Sequence, residues 1–331
     1  MSTPESNTIF NETDQEIFDR ELADFLPDRI FDAHMHLMHP DFFSVTFDGM
    51  LPETCGLDDF RKYNGLLHPV DEVGGLVLSF SVSPDGVAFA NQWCTDQVKD
   101  EPYFRCFIFV SPDDDPDFVR QEAQRLGADG FKVYHNRAAR ESTWAADIPE
   151  YMPEWLVAIA DEMQLAITLH MVKQRGVADQ GNIDCIRHYC ETYPNMKLIL
   201  AHSARGFQPQ HNVEGLPKLA GIPNLYFDTS ANCSELAHLA ILKVFGHEKL
   251  MYGSDFPVSH DHSTNFGVGD SFIWVSKEDD IWNQALGAIQ PTLCGIEHLR
   301  SLKHACWVAG LSDGQVEDIF WNNAARFFNL R

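Results

Sequence analysis

The chain has few basic residues for its length of 331: 24 Lys and Arg stand against 49 Asp and Glu, a formal net charge of −25. An acidic surface repels phosphate backbones and anionic membranes, so we expect neither nucleic acid nor a membrane as a partner. The same charge means that an anionic substrate needs its own local cluster of Lys or Arg.

Long apolar runs are also missing, and none reaches the roughly 18 residues of a transmembrane helix. Residues 1–27 have neither a basic start nor an apolar stretch, so no secretory signal is expected. The eight cysteines include no CxxC pair, and a chain of this length forms a core without cross-links. We therefore expect reduced thiols in a cytoplasmic protein, with disulfides as the alternative.

The sequence lacks the common nucleotide-binding motifs and the nucleophile motif of serine hydrolases. No GxGxxG or P-loop pattern is present, which argues against a nucleotide cofactor. The segment Tyr-Gly-Ser-Asp at 252–255 lacks the second glycine of a nucleophile elbow, which argues against a serine hydrolase.

What the sequence does contain is a regular alternation of strand-like and helix-like segments. Eight short β-rich runs are spaced by the length of a strand plus a returning helix. They span 31–36, 75–81, 103–110, 130–134, 165–170, 197–202, 224–230 and 250–255. This pattern predicts an α/β fold, a closed (β/α)8 TIM barrel, with an open doubly wound sheet as the alternative.

Two connections are much longer than turns: 37–73 after the first strand and 257–299 after the eighth. Both follow the carboxyl ends of strands, where a barrel places its active site, so we expect binding loops or lids. Residues 1–27 are predicted to form an N-terminal arm, and 28–331 a single barrel domain.

The alternation of residues along the first strand predicts which side chains face the barrel interior. Residues two apart share a face, so His34 and His36 are expected to point into the barrel. Strict alternation then turns Phe31, Ala33 and Met35 toward the helices.

Ligand-type residues also end three other strands: His170 the fifth, His202 the sixth and Asp255 the eighth. Each alone is better explained as a hydrogen-bonded strand end. In a barrel, however, these ends converge on one mouth, where a shared cation removes the cost of burying them. Imidazoles with one carboxylate suit Zn²⁺, although Mn²⁺, Fe²⁺ and Co²⁺ accept the same ligands.

The order of these motifs resembles the amidohydrolase superfamily, and within it the amidohydrolase-related family. That family includes hydrolases and carboxymuconate-semialdehyde-type decarboxylases. The matching segments are Asp-Ala-His-Met-His at 32–36, Thr-Leu-His at 168–170, Leu-Ala-His at 200–202, Tyr-Gly-Ser-Asp-Phe-Pro at 252–257 and Asn-Asn-Ala-Ala-Arg-Phe-Phe at 322–328. The resemblance is specific for the family but not for a substrate.

The resemblance implies one divalent metal ion held by His34, His36, His170 and Asp255. His202 would orient or activate the attacking water, or hold the substrate. Asp255 would also take the proton from that water, because the cation lowers the pKa of the water.

Lys132, on the fourth strand, has three interpretations. In two-metal relatives a lysine on that strand is carboxylated and bridges two ions, and both later histidines then bind the second ion. The alternatives are a free ammonium that grips a substrate carboxylate or carbonyl, and a structural ion pair. We favour the free ammonium, because one-metal sites prevail in the amidohydrolase-related group.

Two arginines extend this positive charge. Arg205 follows His202 by three residues, and Arg137 lies after the fourth strand. A guanidinium matches a carboxylate with two parallel hydrogen bonds, so with Lys132 these residues are predicted to bind substrate. The alternative is that both are surface arginines paired with nearby acids.

The sequence therefore favours a metal-dependent hydrolase acting on a small, carboxylate-bearing organic substrate. One alternative is a lyase that decarboxylates an unsaturated or aromatic acid without oxidation. Another is a non-catalytic, metal-containing binding protein. The family resemblance also suggests a homo-oligomer.

Overall fold

Eight parallel strands form one sheet in the order in which they occur along the chain, in a computed structural model that describes residues 9–284 and 290–330. The strands are β1 Arg29–Met35, β2 Glu72–Leu78, β3 Phe104–Phe109, β4 Gly130–Val133, β5 Ala166–Leu169, β6 Lys197–Leu200, β7 Leu225–Asp228 and β8 Leu250–Met251. The predicted (β/α)8 TIM barrel is confirmed.

The barrel closes between its first and last strands. The backbone N–H of Ala33 donates to the carbonyl of Tyr252 at 2.7 Å, and that of His36 donates to the carbonyl of Phe256 at 2.8 Å. The N–H of Asp255 returns to the carbonyl of His34 at 2.7 Å. These bonds place the end of β1 directly beside the segment that follows β8.

Helices separate the strands along most of the chain. They are α1 Glu12–Ile17, α2 Leu57–Asn64, α3 Val87–Val98, α4 Pro116–Leu126, α5 Glu154–Met163, α6 Gln180–Thr192, α7 Pro209–Gly215, α8 Glu235–Phe245, α9 Ile281–Gln284, α10 Cys294–Ala309, α11 Asp313–Glu317 and α12 Asn323–Phe328. None of the described helices is long and apolar enough to cross a membrane.

Two residues of β1 face the opposite side of the sheet from the one expected. Phe31 and Ala33 lie in a buried cluster with side chains of β2, β3, β5, β6 and β8 and of the C-terminal segment, so they face the barrel interior. The prediction that they face the helices was wrong. The register of β1 against β2 shifts between Asp32 and Met35, and such an irregularity moves the following side chains to the other face.

The two long connections carry structure of their own. The first contains α2, and the second contains an antiparallel hairpin of β9 Ser263–Val268 and β10 Ser271–Ser276. The second also contacts the N-terminal helix, because Asp14 accepts a hydrogen bond from the Leu293 N–H and pairs with His262 at 3.0 Å. The division into an arm and a barrel domain stays a prediction.

Candidate metal and substrate site

Three of the predicted metal ligands meet at the carboxyl end of the barrel. Oδ1 of Asp255 lies 3.4 Å from Nε2 of His34 and 3.6 Å from Nε2 of His36. One ligand atom from each residue lies within 4.8 Å of the others. Side chains from opposite ends of the chain therefore surround one point.

Hydrogen bonds orient both imidazoles toward that point. Nδ1 of His36 donates to the Leu78 carbonyl at 2.8 Å, and Nδ1 of His34 lies 3.0 Å from Oδ2 of Asp228. With the proton on Nδ1, each ring keeps the lone pair on Nε2. This is the arrangement of metal-binding histidines, in which a second group holds the outer ring nitrogen.

The protonation preferences agree with cation binding. Burial lowers the pKa of His34, and lowers that of His36 to about 3, so both rings are neutral donors. Burial raises the pKa of Asp255, although Lys132 opposes this rise. A divalent cation would favour the charged carboxylate, so the donor set fits such an ion.

Asp228 is a residue that sequence reasoning missed. It forms a second close group with His34 and His202, but its carboxylate is already occupied. Oδ1 accepts hydrogen bonds from the backbone N–H of His202 at 3.0 Å and from the hydroxyl of Ser230 at 2.5 Å. Asp228 is therefore better suited to hold His34 than to bind a metal. Its position at the end of β7 was the available signal.

His170 and His202 lie beside the three candidate ligands without joining their group. The ring centres are 5.0 Å apart, and His202 is 4.9 Å from the ring of His34. Nδ1 of His170 is buried without a hydrogen-bond partner among the described residues. A buried polar atom of this kind needs a partner that protein atoms do not supply, which agrees with a ligand or an ordered water.

A left-handed turn follows β6 and carries His202 and Arg205. Four consecutive residues have φ between 51° and 57°, a conformation that costs about 1–2 kcal/mol per residue. Side chains hold the turn: Asn232 donates to the carbonyl of His202 at 3.1 Å, and Asn212 donates to that of Ser203 at 2.8 Å. Strain that is held this firmly is typical of a functional site.

A cavity of about 390 Å³ opens above these candidate ligands. Both long connections contribute to its walls, and much of the lining is aromatic. The aromatic residues are Phe43, Phe47, Phe80, Tyr134 and Trp274. The site therefore combines a polar floor with walls suited to a flat organic molecule.

Lys132 points into the same cavity and is fully buried. Its Nζ lies 3.4 Å from Nε2 of His34, and no carboxylate among the described residues lies within 4 Å of it. Burial lowers the pKa of Lys132 to about 8. Asp228 and Asp255 attract the ammonium and oppose this fall in pKa, but neither lies close enough to form a direct ion pair with it.

The two predicted arginines lie in different surroundings. Arg205 is placed between the rings of Trp144 and Phe272, 5.3 and 5.4 Å from their centres. It pairs with no carboxylate in the described part of the chain, and it lines a second cavity of about 650 Å³. Arg137 donates to the Ser81 carbonyl at 2.8 Å and lines neither cavity.

A family model described as amidohydrolase matches residues 31–330. A search of curated proteins finds no match.

Several solved structures have the same fold. An amidohydrolase from Burkholderia multivorans with bound zinc has a TM-score of 0.57 at 14% identity, covering 91% of this chain and 99% of that one. The 5-carboxyvanillate decarboxylase from Sphingomonas paucimobilis has a TM-score of 0.56 at 14% identity, covering 92% and 100%. A probable 2-pyrone-4,6-dicarboxylic acid hydrolase from Acinetobacter baumannii, with citric acid bound, has a TM-score of 0.57 at 13% identity, covering 91% and 99%. At such low identities the likeness shows the fold alone.

Proposed function

The chain belongs to the amidohydrolase family of enzymes, and on this basis we propose that it is a metal-dependent hydrolase of small organic molecules that carry a carboxylate. The observation that carries the proposal is the approach of His34, His36 and Asp255 to one point on the floor of a cavity. Membership in a family of enzymes argues against a non-catalytic binding protein.

His34, His36 and Asp255 would hold one divalent ion, with His170 as the fourth ligand. The ion supplies Lewis acidity when bound: it polarises a carbonyl and lowers the pKa of a water molecule. Zinc is our first choice, because imidazoles with one carboxylate suit it. The zinc-bound relative supports a divalent ion for the fold.

Asp255 accepts the proton of the attacking water in this proposal. Its second oxygen, Oδ2, lies 3.9 Å from Nδ1 of His202, so the carboxylate faces both the ligand group and the neighbouring imidazole. Nδ1 of His202 donates to the Ser230 carbonyl at 3.1 Å, which leaves its Nε2 as an acceptor. That nitrogen is free to orient the water or a substrate hydroxyl.

Arg205 and Lys132 are proposed to hold the anionic end of the substrate. The guanidinium of Arg205 is partly buried and has no carboxylate partner among the described residues, so it carries a desolvation cost that an anionic ligand would offset. Lys132 has no direct carboxylate partner among the described residues either, and it would bind a substrate carbonyl or carboxylate nearer the floor of the metal-site cavity. Arg137 stays a prediction, because it lines neither cavity.

Non-oxidative decarboxylation of an unsaturated or aromatic acid is the second candidate. The aromatic walls favour it, because a flat conjugated acid would stack on Tyr134 or Trp274. Decarboxylases occur among the solved structures with this fold.

The products separate the two reactions. We would incubate zinc-loaded protein with a panel of carboxylate-bearing lactones, amides and aromatic acids in water enriched in heavy oxygen. Hydrolysis places one solvent oxygen in the product, whereas decarboxylation releases CO2 and places a solvent hydrogen on the substrate carbon. Release of CO2 without incorporation of solvent oxygen into the product would show that the protein is a lyase and not a hydrolase.

The double variant His34→Ala, His36→Ala serves as the control, since turnover that survives in it does not come from this site. A cytoplasmic location and a homo-oligomeric assembly stay predictions.

A further inference from the structure

Two of the eight cysteines have their sulfur atoms in contact. Sγ of Cys233 lies 3.9 Å from Sγ of Cys294, and no other two of the cysteines, all of which the structure describes, share such a hydrogen bond. Cys233 follows β7 on the mouth side of the barrel, and Cys294 begins α10. The pair therefore joins two segments that are far apart in sequence.

The surroundings of the pair favour a thiolate on Cys233. Its sulfur accepts a hydrogen bond from the Asn265 side chain at 3.5 Å, and the thiol of Cys294 lowers its pKa by donating to it. Cys233 directly precedes the N-cap of α8, while Cys294 is the first residue of the 16-residue helix α10. The positive ends of both helices stabilise negative charge on this pair.

The two cysteines differ in exposure. Cys233 is partly exposed, whereas Cys294 is buried. We therefore expect a small oxidant to react first with Cys233, and the thiol of Cys294, which is in contact with it, to resolve the product.

We propose that Cys233 and Cys294 form a peroxide-responsive dithiol that closes reversibly to a disulfide beside the metal site. The Cys233 thiolate attacks one peroxide oxygen, the O–O bond breaks, and the departing hydroxide takes up a proton to become water. The Cys294 sulfur then attacks the sulfenic sulfur of Cys233, whose oxygen leaves as a second water with the Cys294 proton. Two thiols lose two electrons, and one hydrogen peroxide is reduced to two waters.

Closure of the disulfide would disturb the metal site through the segment that carries Cys233. The two sulfurs must approach from 3.9 Å to about 2.05 Å, so both side chains must reorient and the bond then constrains the segments that carry them. The neighbouring Asn232 donates to the carbonyl of His202, and Ser230 contacts both His202 and Asp228. Oxidation is therefore expected to loosen the ligand group, a consequence that rests on the proposed metal site.

The chemistry is tested without any activity assay. Reduced protein is titrated with hydrogen peroxide and then examined by intact mass and by peptide mapping without reductant. We expect the loss of two hydrogen atoms and a link between the peptides of Cys233 and Cys294, reversed by dithiothreitol. In Cys294→Ser a sulfenic acid should accumulate on Cys233 and react with a dimedone probe, whereas Cys233→Ser should leave Cys294 unoxidised.

Cys306→Ser is the matched control, because Cys306 is buried and burial raises the pKa of its thiol to about 12. This variant should form the disulfide as the unaltered protein does. The proposal is overturned if Cys233 and Cys294 of the unaltered protein stay reduced at peroxide concentrations that oxidise free cysteine in the same tube. This outcome does not depend on the serine variants folding or on the proposed reaction.

Zinc retention tests the connection to the metal site. Oxidised protein is expected to bind zinc about tenfold more weakly than reduced protein in competition with a chelator. The Cys294→Ser variant should show no such change at one equivalent of peroxide. Equal zinc affinity in the oxidised and reduced protein would overturn the coupling, whatever the outcome of the mass analysis.

Discussion

Oδ2 of Asp228 lies 3.0 Å from Nδ1 of His34, and both side chains are buried, at 0% and 1% exposure. The carboxylate keeps the proton on Nδ1, so the lone pair of Nε2 faces Asp255. Asp228→Asn preserves the shape of the side chain but removes the charge. We expect its zinc affinity to fall about 10- to 100-fold.

The measurement is the dissociation constant of zinc in competition with a chelator. Asp129→Asn is the control, since it makes the same change at a half-buried carboxyl that accepts the Cys106 N–H and is not part of the candidate site. Equal affinity in Asp228→Asn and the unaltered protein would contradict the supporting role of Asp228.

Replacement of both His34 and His36 by Ala should abolish zinc retention and leave most of the fold. The barrel core consists of apolar side chains that do not depend on the ion. Elemental analysis measures the zinc content, and the circular dichroism spectrum shows whether the fold is kept. His188→Ala, at a half-exposed ring on α6, should keep its zinc. Full occupancy in the double variant would refute the ligand assignment.

Asp255→Asn is expected to keep part of its zinc affinity but to lose turnover about 100- to 10,000-fold, because the amide cannot accept the proton of the water. The relevant measurements are kcat with the best substrate of the panel and zinc content of the same sample. A near-normal kcat at full zinc loading would show that Asp255 does not accept the proton of the water.

Arg205→Met should raise the KM for a carboxylate-bearing substrate about 10- to 100-fold, because a charged hydrogen-bond partner is lost. An uncharged analogue of the same substrate is the internal control, and its KM should change little. Arg205→Lys should recover only part of the loss, since an ammonium lacks the planar fork. Equal effects on the charged and uncharged substrates would show that Arg205 acts through packing against Trp144 and Phe272 instead.

The barrel and the polar groups at its mouth were predictable because their signals are local. Each strand end carries its own polar residue after an apolar run, as His170, His202 and Asp255 do. Once eight such runs alternate with helices, the geometry of a barrel brings their ends to one mouth. Asp228 carried the same signal at the end of β7 and could have been found by the same reasoning.

Other features were not readable from local patterns. The register shift in β1 places Phe31 and Ala33 inside the barrel together with His34, although strict alternation separates them. The left-handed turn at His202 contains no glycine, so the sequence gives no sign of it. Hydrogen bonds from Asn212 and Asn232 stabilise this turn. Such bonds come from residues that only the fold brings near.

The sequence by itself determined the number and order of the strands and the identity of the groups at their ends, because apolar periodicity and residue type belong to short segments. The tertiary structure alone decided which of those groups touch. Arg205 and Arg137 look alike in the sequence, yet Arg205 is partly buried, pairs with no carboxylate of the described residues and lines a cavity, while Arg137 donates to the Ser81 carbonyl. That difference depends on distances between distant segments, which are settled only when the whole core packs.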